Sequence, residues 1–413
     1  MDSMRILWVK ANKLLPISSG GDIRSYNIAR QLRARHELTF LSYYDGRSDD
    51  AYEKELKRHF PGAVCVSTGQ EASSGLARGF DYISRFANPA PYAVSRFAST
   101  PVREHLATWF RERRFDVAVC DFLDAAVNFP EDLGVPTVLF QHNVESEIWR
   151  RHAEASSNPI RRAIYKREFA RMLRYEQEIV GKYPHVIAVS QHDKELMARW
   201  ADASRITVVP TGVDLEQYGP ALSPSPAEPL IVFVGAMDWE PNIDAMEYFC
   251  GDIWPLVQAA VAGARLRIVG RNPDRRVQRL ASQCIEVTGT VSSVVDHLRQ
   301  AATVIVPLRI GGGTRLKIYE AMAMGKAVVS TSVGAEGLDV RHQHNIMLAD
   351  APQSFADAVV MFLQDRELRS RYERAAAELA AQYDWPAIGV KFSQVLGAVA
   401  GVNASAAKPC VQV

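Results

Sequence analysis

Residues 307–337 read PLRIGGGTRLKIYEAMAMGKAVVSTSVGAEG, and the fold class turns on this stretch. The apolar residues just before it, Ala302, Val304, Ile305 and Val306, spell a buried strand. Gly311, Gly312 and Gly313 follow as a loop with no side chains to block a ligand. Thr314 is placed to cap a helix running to about Met324, and Gly325 to end it. Ile318, Ala321, Met322 and Gly325 fall at i, i+3, i+4 and i+7, the face a helix turns to a sheet. Lys317 and Glu320 point the other way. AVVST, from Ala327, is the next strand.

A glycine loop that opens a helix is an anion site, because free N–H groups point at the ligand and the helix dipole favours negative charge. Gly312, Gly313 and Thr314 supply those groups here. Arg315 and Lys317 add cationic donors suited to a diphosphate. Glu320, about one turn on, can accept hydrogen bonds from paired hydroxyls such as those of a ribose. Arg315 and Lys317 are thus the residues placed to hold a diphosphate, and the stretch reads as a nucleotide-diphosphate cradle.

Working outward, the pattern repeats. LIVFVGAMDWEPNIDAMEYF (Leu230 to Phe249) is a strand, a turn at Gly235 and a helix starting near Pro241. LRIVGRNP (Leu266 to Pro273) and IEVTGTVSS (Ile285 to Ser293) are further strands. At the other end of the chain, Arg5 to Ala11 is a strand, followed by the loop Leu15 to Asp22 with Gly20 and Gly21, and then a helix. That opening is Rossmann-like, but it lacks Gly-x-Gly-x-x-Gly, so a dinucleotide cofactor is not supported. ELTFLSYY, DVAVC, PTVLF, VIAVS and ITVVP continue the strands, with helical segments between them. Such alternation implies parallel sheets covered on both faces, with ligands at the strands' carboxyl ends. His142 stands at one of those ends, after PTVLF.

Composition sets bounds. A chain of 413 residues has room for two or three domains, and its net charge of +1 argues against nucleic-acid affinity. Five scattered cysteines with no Cys-x-x-Cys pair indicate neither a disulfide framework nor structural zinc, which fits a reducing cytosol. The N-terminus is too short in apolar residues for a secretory signal, and no run is long enough to span a membrane. PALSPSPAEP (Pro220 to Pro229) has no helical or strand period. The expected division is a first Rossmann-like domain over 1–212, a linker over 213–228, a second over 229–384, a helix over 385–400, and a disordered tail over 401–413. The segment 158–182 is a long helix crowded with Arg161, Arg162, Lys166, Arg167, Arg171 and Arg174. Glu168, Glu176 and Glu178 balance part of that charge, which favours a solvated, salt-bridged helix over one lying on an anionic membrane.

GGGTRLKIYEAMAMGKAVVSTSVGAEGL resembles the donor-site signature of the family 4 glycosyltransferases of the GT-B fold, in the branch with a glycine-rich GGGTRLK. The resemblance implies α/β architecture: two facing Rossmann-like domains and a C-terminal helix that crosses back onto the first. It implies that Glu320 holds the nucleotide ribose, that Gly312 stands where many members have a sugar-contacting glutamate, and that His142 approaches the donor sugar and the acceptor. It places Gly20 and Gly21 against the donor phosphates and acceptor. Gly270 matches the strand ending in Val-Gly, and Val291 the turn whose backbone reads the base. Where most members put an Arg and a Lys after Gly235, this chain has Met237 or Asp238, Trp239 and Asn242, so the cationic work falls to Arg315 and Lys317. TGVD (Thr211 to Asp214) resembles the family's Asn-Gly-Val-Asp turn.

The function so implied is transfer of a sugar from a nucleotide-sugar donor to a hydroxyl acceptor (a sugar, a lipid-linked sugar or a small molecule), with retention. No cofactor and no metal are expected, since the nucleotide-sugar is a substrate and no Asp-x-Asp sits in a plausible site; Asp49 and Asp50 form an adjacent pair in a loop. Polysaccharide or glycoconjugate assembly in the cytoplasm, with possible membrane contact through 158–182, fits this reading. Two other readings stay open: a nucleotide-sugar 2-epimerase of the same fold, and a non-catalytic sugar-nucleotide-binding subunit.

Overall fold

The computed structural model describes residues 3–17, 19–69, 90–156, 158–219, 228–310 and 315–401. The chain divides into two compact units, Met1–Pro210 with Trp385–Val413, and Thr211–Asp384. The central glycine loop, with Gly312, Gly313 and Thr314, lies outside the described residues. So do 220–227 of the Pro/Ser stretch and the tail from 402.

The first unit holds seven strands: β1 (Arg5–Ala11), β2 (Glu37–Tyr44), β3 (Val64–Ser67), β4 (Val117–Asp121), β5 (Thr137–Gln141), β6 (His185–Ala188) and β7 (Ile206–Val208). They form one sheet in the order β3-β2-β1-β4-β5-β6-β7, and every pairing is parallel. In β4 and β5 every residue is buried, as expected for strands covered on both faces. The helix Gly20–Arg33 starts earlier than the sequence suggests. Ser19 accepts from the Asp22 amide at 3.1 Å while Asp22 accepts from the Ser19 amide at 3.1 Å, a capping box. Gly20 and Gly21 therefore belong to the first helical turn rather than to a loop. The pair Asp49–Asp50 is not a loop either: Asp49 caps the helix Asp50–His59 and bridges Lys13 at 2.5 Å.

The helix Trp385–Ala400 completes this unit. It packs on Gly20–Arg33, and Phe392 meets Trp8 and Phe140 at ring distances of 5.6 and 5.1 Å. Ser393 bonds the ring of His36 at 2.7 Å. Gly389 permits the approach, since a Cβ there would fall 2.4 Å from the Gln31 Cβ.

The second unit holds β8 (Leu230–Val234), β9 (Arg265–Val269), β10 (Ile285–Gly289), β11 (Thr303–Val306), β12 (Ala327–Ser330) and β13 (Met347–Leu348), again all parallel, in the order β10-β9-β8-β11-β12-β13. The helix of the opening stretch spans Leu316–Ala323, and Gly325 at φ 65° ends it. Residues 213–218, expected in the linker, are part of this unit. Asp214 caps a short helix, Leu215–Tyr218, which packs on Leu316–Ala323. The Val213 amide donates to the Tyr383 carbonyl at 2.7 Å, so the two chain segments nearest the crossings between units run side by side. No helix among the described residues is long and apolar enough to cross a membrane.

Candidate active site

In an open parallel sheet, ligands bind beyond the carboxyl ends of the strands, where the strand order reverses. In the second unit that point lies between β8 and β11. Two glycines shape it. A Cβ on Gly270 would sit 1.6 Å from the Gly235 carbonyl oxygen, so Gly270 lets the ends of β9 and β8 touch. A Cβ on Gly235 would lie 2.7 Å from Asn242 Nδ2 and 2.8 Å from Lys317 Nζ, so Gly235 makes room for those two side chains. Asn242 is buried at the start of the helix Glu240–Tyr248. Its Nδ2 donates to the Ala236 carbonyl at 2.8 Å, and its Oδ1 accepts from Lys317 Nζ at 3.0 Å.

Lys317 therefore reaches from its helix back to the end of β8. Its ammonium also lies 4.4 Å from the centre of the Phe233 ring. Burial, and then the neighbouring Arg315, lower it to about 7, against the pull of Glu320. Arg315 is buried, with its guanidinium 5.7 Å from the half-exposed Trp239 ring. Glu320 follows Lys317 by three residues, on the same side of the helix. Burial raises its carboxyl to about 7, opposed by Lys317 and by a hydrogen bond from the Tyr218 hydroxyl. The helix thus presents Lys317 and Glu320, whose charged forms burial disfavours, with Arg315 at its N-cap. Val291 lies two residues beyond β10.

The first unit has a second polar cluster at its own reversal, between β1 and β4. Asp121 ends β4, Lys10 lies near the end of β1, and His142 follows β5. His142 Nε2 lies 2.6 Å from Asp121 Oδ1, and Arg24 Nε lies 3.2 Å from His142 Nδ1. Trp8 Nε1 donates to Asp121 at 2.9 Å, and Lys10 Nζ stands 3.7 Å from Asp121 and 3.5 Å from Asp22. Burial pushes the Asp121 carboxyl up, but Lys10, His142 and a bond from Ser25 outweigh it and hold it well below the usual carboxylate range. Burial lowers His142 to about 4, against the pull of Asp121. The tautomer follows. Ionised Asp121 only accepts, so Nε2 carries the proton and Nδ1 accepts from Arg24. Both ring nitrogens are engaged. The ring carbons face Gly21, where a Cβ would lie 3.9 Å from His142 Cδ2.

Residues 18–217 match the family described as Glycosyltransferase Family 4, and residues 228–365 match Glycosyl transferases group 1. The chain belongs to the family 4 glycosyltransferases. This family 4 glycosyltransferase is 29% identical over 239 residues to the phosphatidyl-myo-inositol mannosyltransferase of Mycobacterium leprae, covering 55% of this chain and 61% of that one. It is 27% identical over 240 residues to the D-inositol 3-phosphate glycosyltransferase of Xylanimonas cellulosilytica, covering 51% of this chain and 56% of that one. The chain spans less than two thirds of the length of these curated relatives. Among solved structures it resembles Anabaena Alr3699/HepE in complex with UDP (TM-score 0.68, 16% identity, 96% of this chain and 100% of that one). It also resembles the sucrose-phosphate synthase of Thermosynechococcus elongatus (TM-score 0.72, 16% identity, 97% of this chain and 100% of that one). The fold is GT-B.

The structure brings Gly235, Gly270, Asn242, Arg315, Lys317 and Glu320 together, and separately brings Gly21 to His142. Gly270 meets backbone rather than open space. Lys10, Arg24, Asp121, Phe233 and Tyr218 went unrecognised in the sequence. Lys10 and Asp121 did leave a signal, as charged residues within or closing the apolar runs RILWVKA and DVAVCD. Tyr218 left none, because only folding lays its helix on Glu320.

Proposed function

We propose that the chain transfers a sugar from a nucleoside-diphosphate sugar to a hydroxyl acceptor, with retention and without a divalent metal. The observation that carries this reading is the set Arg315, Lys317 and Glu320 on one helix start, at the strand-order reversal of the second unit. A diphosphate seated there neutralises two cations, and the ribose hydroxyls fall to Glu320. As the glycosidic bond breaks, charge builds on the outer phosphate, where Arg315 and Lys317 act most strongly. The names of the relatives support a sugar, lipid-linked sugar or cyclitol hydroxyl as acceptor and a role in polysaccharide or glycoconjugate assembly. The UDP and UDP-glucose of the solved neighbour support a nucleotide-sugar donor. His142, with both nitrogens held, positions Arg24 and Asp121 rather than moving a proton. The test is sugar release or transfer from a panel of nucleotide-sugars, in EDTA, by the wild type and by Arg315→Ala, Lys317→Ala and the double variant. The expected result is activity in EDTA, a loss in each single variant, and less than additive loss in the double. Near-normal single variants, or activity abolished by EDTA, would refute it.

We also propose that the start of the helix Pro159–Lys182 touches anionic lipid. Ile160 and Ile164 share a face and are 72% and 42% exposed, beside exposed Arg161 and Arg162. By contrast, Met172, further along, is buried in the core of the unit. Co-sedimentation with vesicles containing phosphatidylglycerol should be lost on Ile160→Ser/Ile164→Ser; retention would refute this contact.

A further inference from the structure

The helix Glu145–Ala155 starts without a cap of its own, since Val144 at its N-cap has no side-chain acceptor. A carboxylate from another helix takes that place. Glu176, on the helix Pro159–Lys182, is fully buried. Its Oε1 accepts from the Glu145 amide at 2.9 Å and from Gln141 Nε2 at 3.2 Å. Its Oε2 accepts from the Ser146 amide at 3.2 Å and from the Ser146 hydroxyl at 2.5 Å. Two amides that a helix start leaves without partners are thus met by a negative charge at the positive end of the dipole. Capping alone does not account for the bond from Gln141. That residue closes β5, on the other side of the turn. One carboxylate therefore holds both flanks of the segment that carries His142. Glu176 is itself fixed, because Met172, Ile179 and Val180 of its helix lie in the core of the unit.

We propose that Glu176 is a positioning residue for His142: it clamps the two ends of the turn after β5 and so holds the imidazole between Asp121 and Arg24. Three residues, His142, Asn143 and Val144, lie between the clamped ends. So short a span leaves the ring little freedom to leave Asp121 at 2.6 Å and Arg24 at 3.2 Å. Both ring nitrogens are taken by those two residues, so Glu176 acts through the backbone. A rigid helix that supports the neighbours of a site residue from behind is what precise placement requires. The effect on turnover rests on the transferase function proposed above, with His142 in its site; the effect on the imidazole does not.

The experiment compares the wild type, Glu176→Gln and Ser146→Ala. Glutamine keeps the shape of Glu176 but turns an amide NH2 against donors on one side. Protein carrying isotope-labelled histidine is studied by NMR at pH 8, where Glu176, raised by burial to about 7, is ionised. The Nε2 proton of His142, held by Asp121, is assigned by its loss in His142→Ala. Turnover is read as sugar release from the nucleotide-sugar that the wild type uses. In Glu176→Gln the His142 proton should shift upfield or be lost to exchange with water. There kcat should fall about ten- to a hundredfold while KM for the donor changes less than about twofold. Ser146→Ala, which removes one donor and leaves the other three, should show the same changes to a smaller degree. An unmoved His142 proton in folded Glu176→Gln would overturn the role of Glu176. If that variant does not fold, an unmoved proton in Ser146→Ala would overturn it equally. A displaced proton with normal kcat would overturn the link from this turn to turnover. A wild type that uses no nucleotide-sugar would overturn the transferase function instead, and the imidazole proton alone would then decide the role of Glu176.

Discussion

Lys317 gives the sharpest pH test. Its ammonium is boxed by Phe233, Asn242 and Gly235, next to Arg315, and burial there lowers it to about 7. A bound diphosphate favours the charged form, so the proton must be recovered on binding. A nucleotide-sugar is the right probe, because its diphosphate is esterified at both ends and does not titrate in this range. About nine-tenths of Lys317 is neutral at pH 8, so each donor bound should take up about 0.9 proton there. Affinity should fall about fivefold from pH 7 to pH 8 and about ninefold from pH 8 to pH 9, about 1.0 and 1.3 kcal/mol. The sign is fixed: a lowered lysine value means the cation is the form in deficit above 7, so binding weakens as pH rises. On the acid side Glu320, raised to about 7, becomes protonated and accepts less well, which sets an optimum near 7. Calorimetry in two buffers of different ionisation enthalpy counts the proton directly. Lys317→Met should bind weakly and lose the slope. A wild-type affinity flat from pH 7 to pH 9 with no proton uptake would refute the role of Lys317.

Glu320→Gln should weaken nucleotide binding by about 1.5–3 kcal/mol. It should leave the melting temperature unchanged or higher above pH 7, where the disfavoured carboxylate is otherwise ionised; unchanged affinity by calorimetry would remove the ribose role. His142→Ala should lower stability by about 2–4 kcal/mol in urea unfolding, because Asp121 and Arg24 each lose a buried partner. In the wild type His142 should produce no inflection in turnover between pH 5 and pH 7, being held to about 4; a histidine titrating near 6.5 by NMR and lost in the variant would contradict this. Gly270→Ala should destabilise by about 2–4 kcal/mol, since its Cβ would fall on the Gly235 carbonyl; a melting temperature equal to wild type would mean the strand ends part easily.

Much of the fold was legible because parallel strands buried on both faces leave continuous apolar runs. RILWVKA is β1 residue for residue, and Gly325 and Pro241 mark a helix end and a helix start as their backbone constraints require. Boundaries failed where a side chain took over a backbone group. Ser19 pulled Gly20 into a helix, and Asp214 made a helix of residues expected to link the units. At the site, the spacing of Arg315, Lys317 and Glu320 on one helix was readable in advance. Asn242 was placed in the segment after Gly235, but its bond to Lys317 was not legible, nor were the approaches of Phe233 and Tyr218, because all three come from other elements. The sequence also showed His142 at a strand end, but not that Asp121 and Arg24 occupy both of its nitrogens. That pairing spans 21 and 118 residues of chain and is made only by the sheet.

The central claim is that Arg315 and Lys317 hold the donor's diphosphate and Glu320 its ribose. A crystal structure of the full chain with a nucleoside diphosphate tests it most directly. The expected result is phosphate oxygens within salt-bridge distance of Lys317 Nζ and the Arg315 guanidinium, and a ribose diol on Glu320. Phosphates bound elsewhere, with Lys317 still on Asn242, would contradict it.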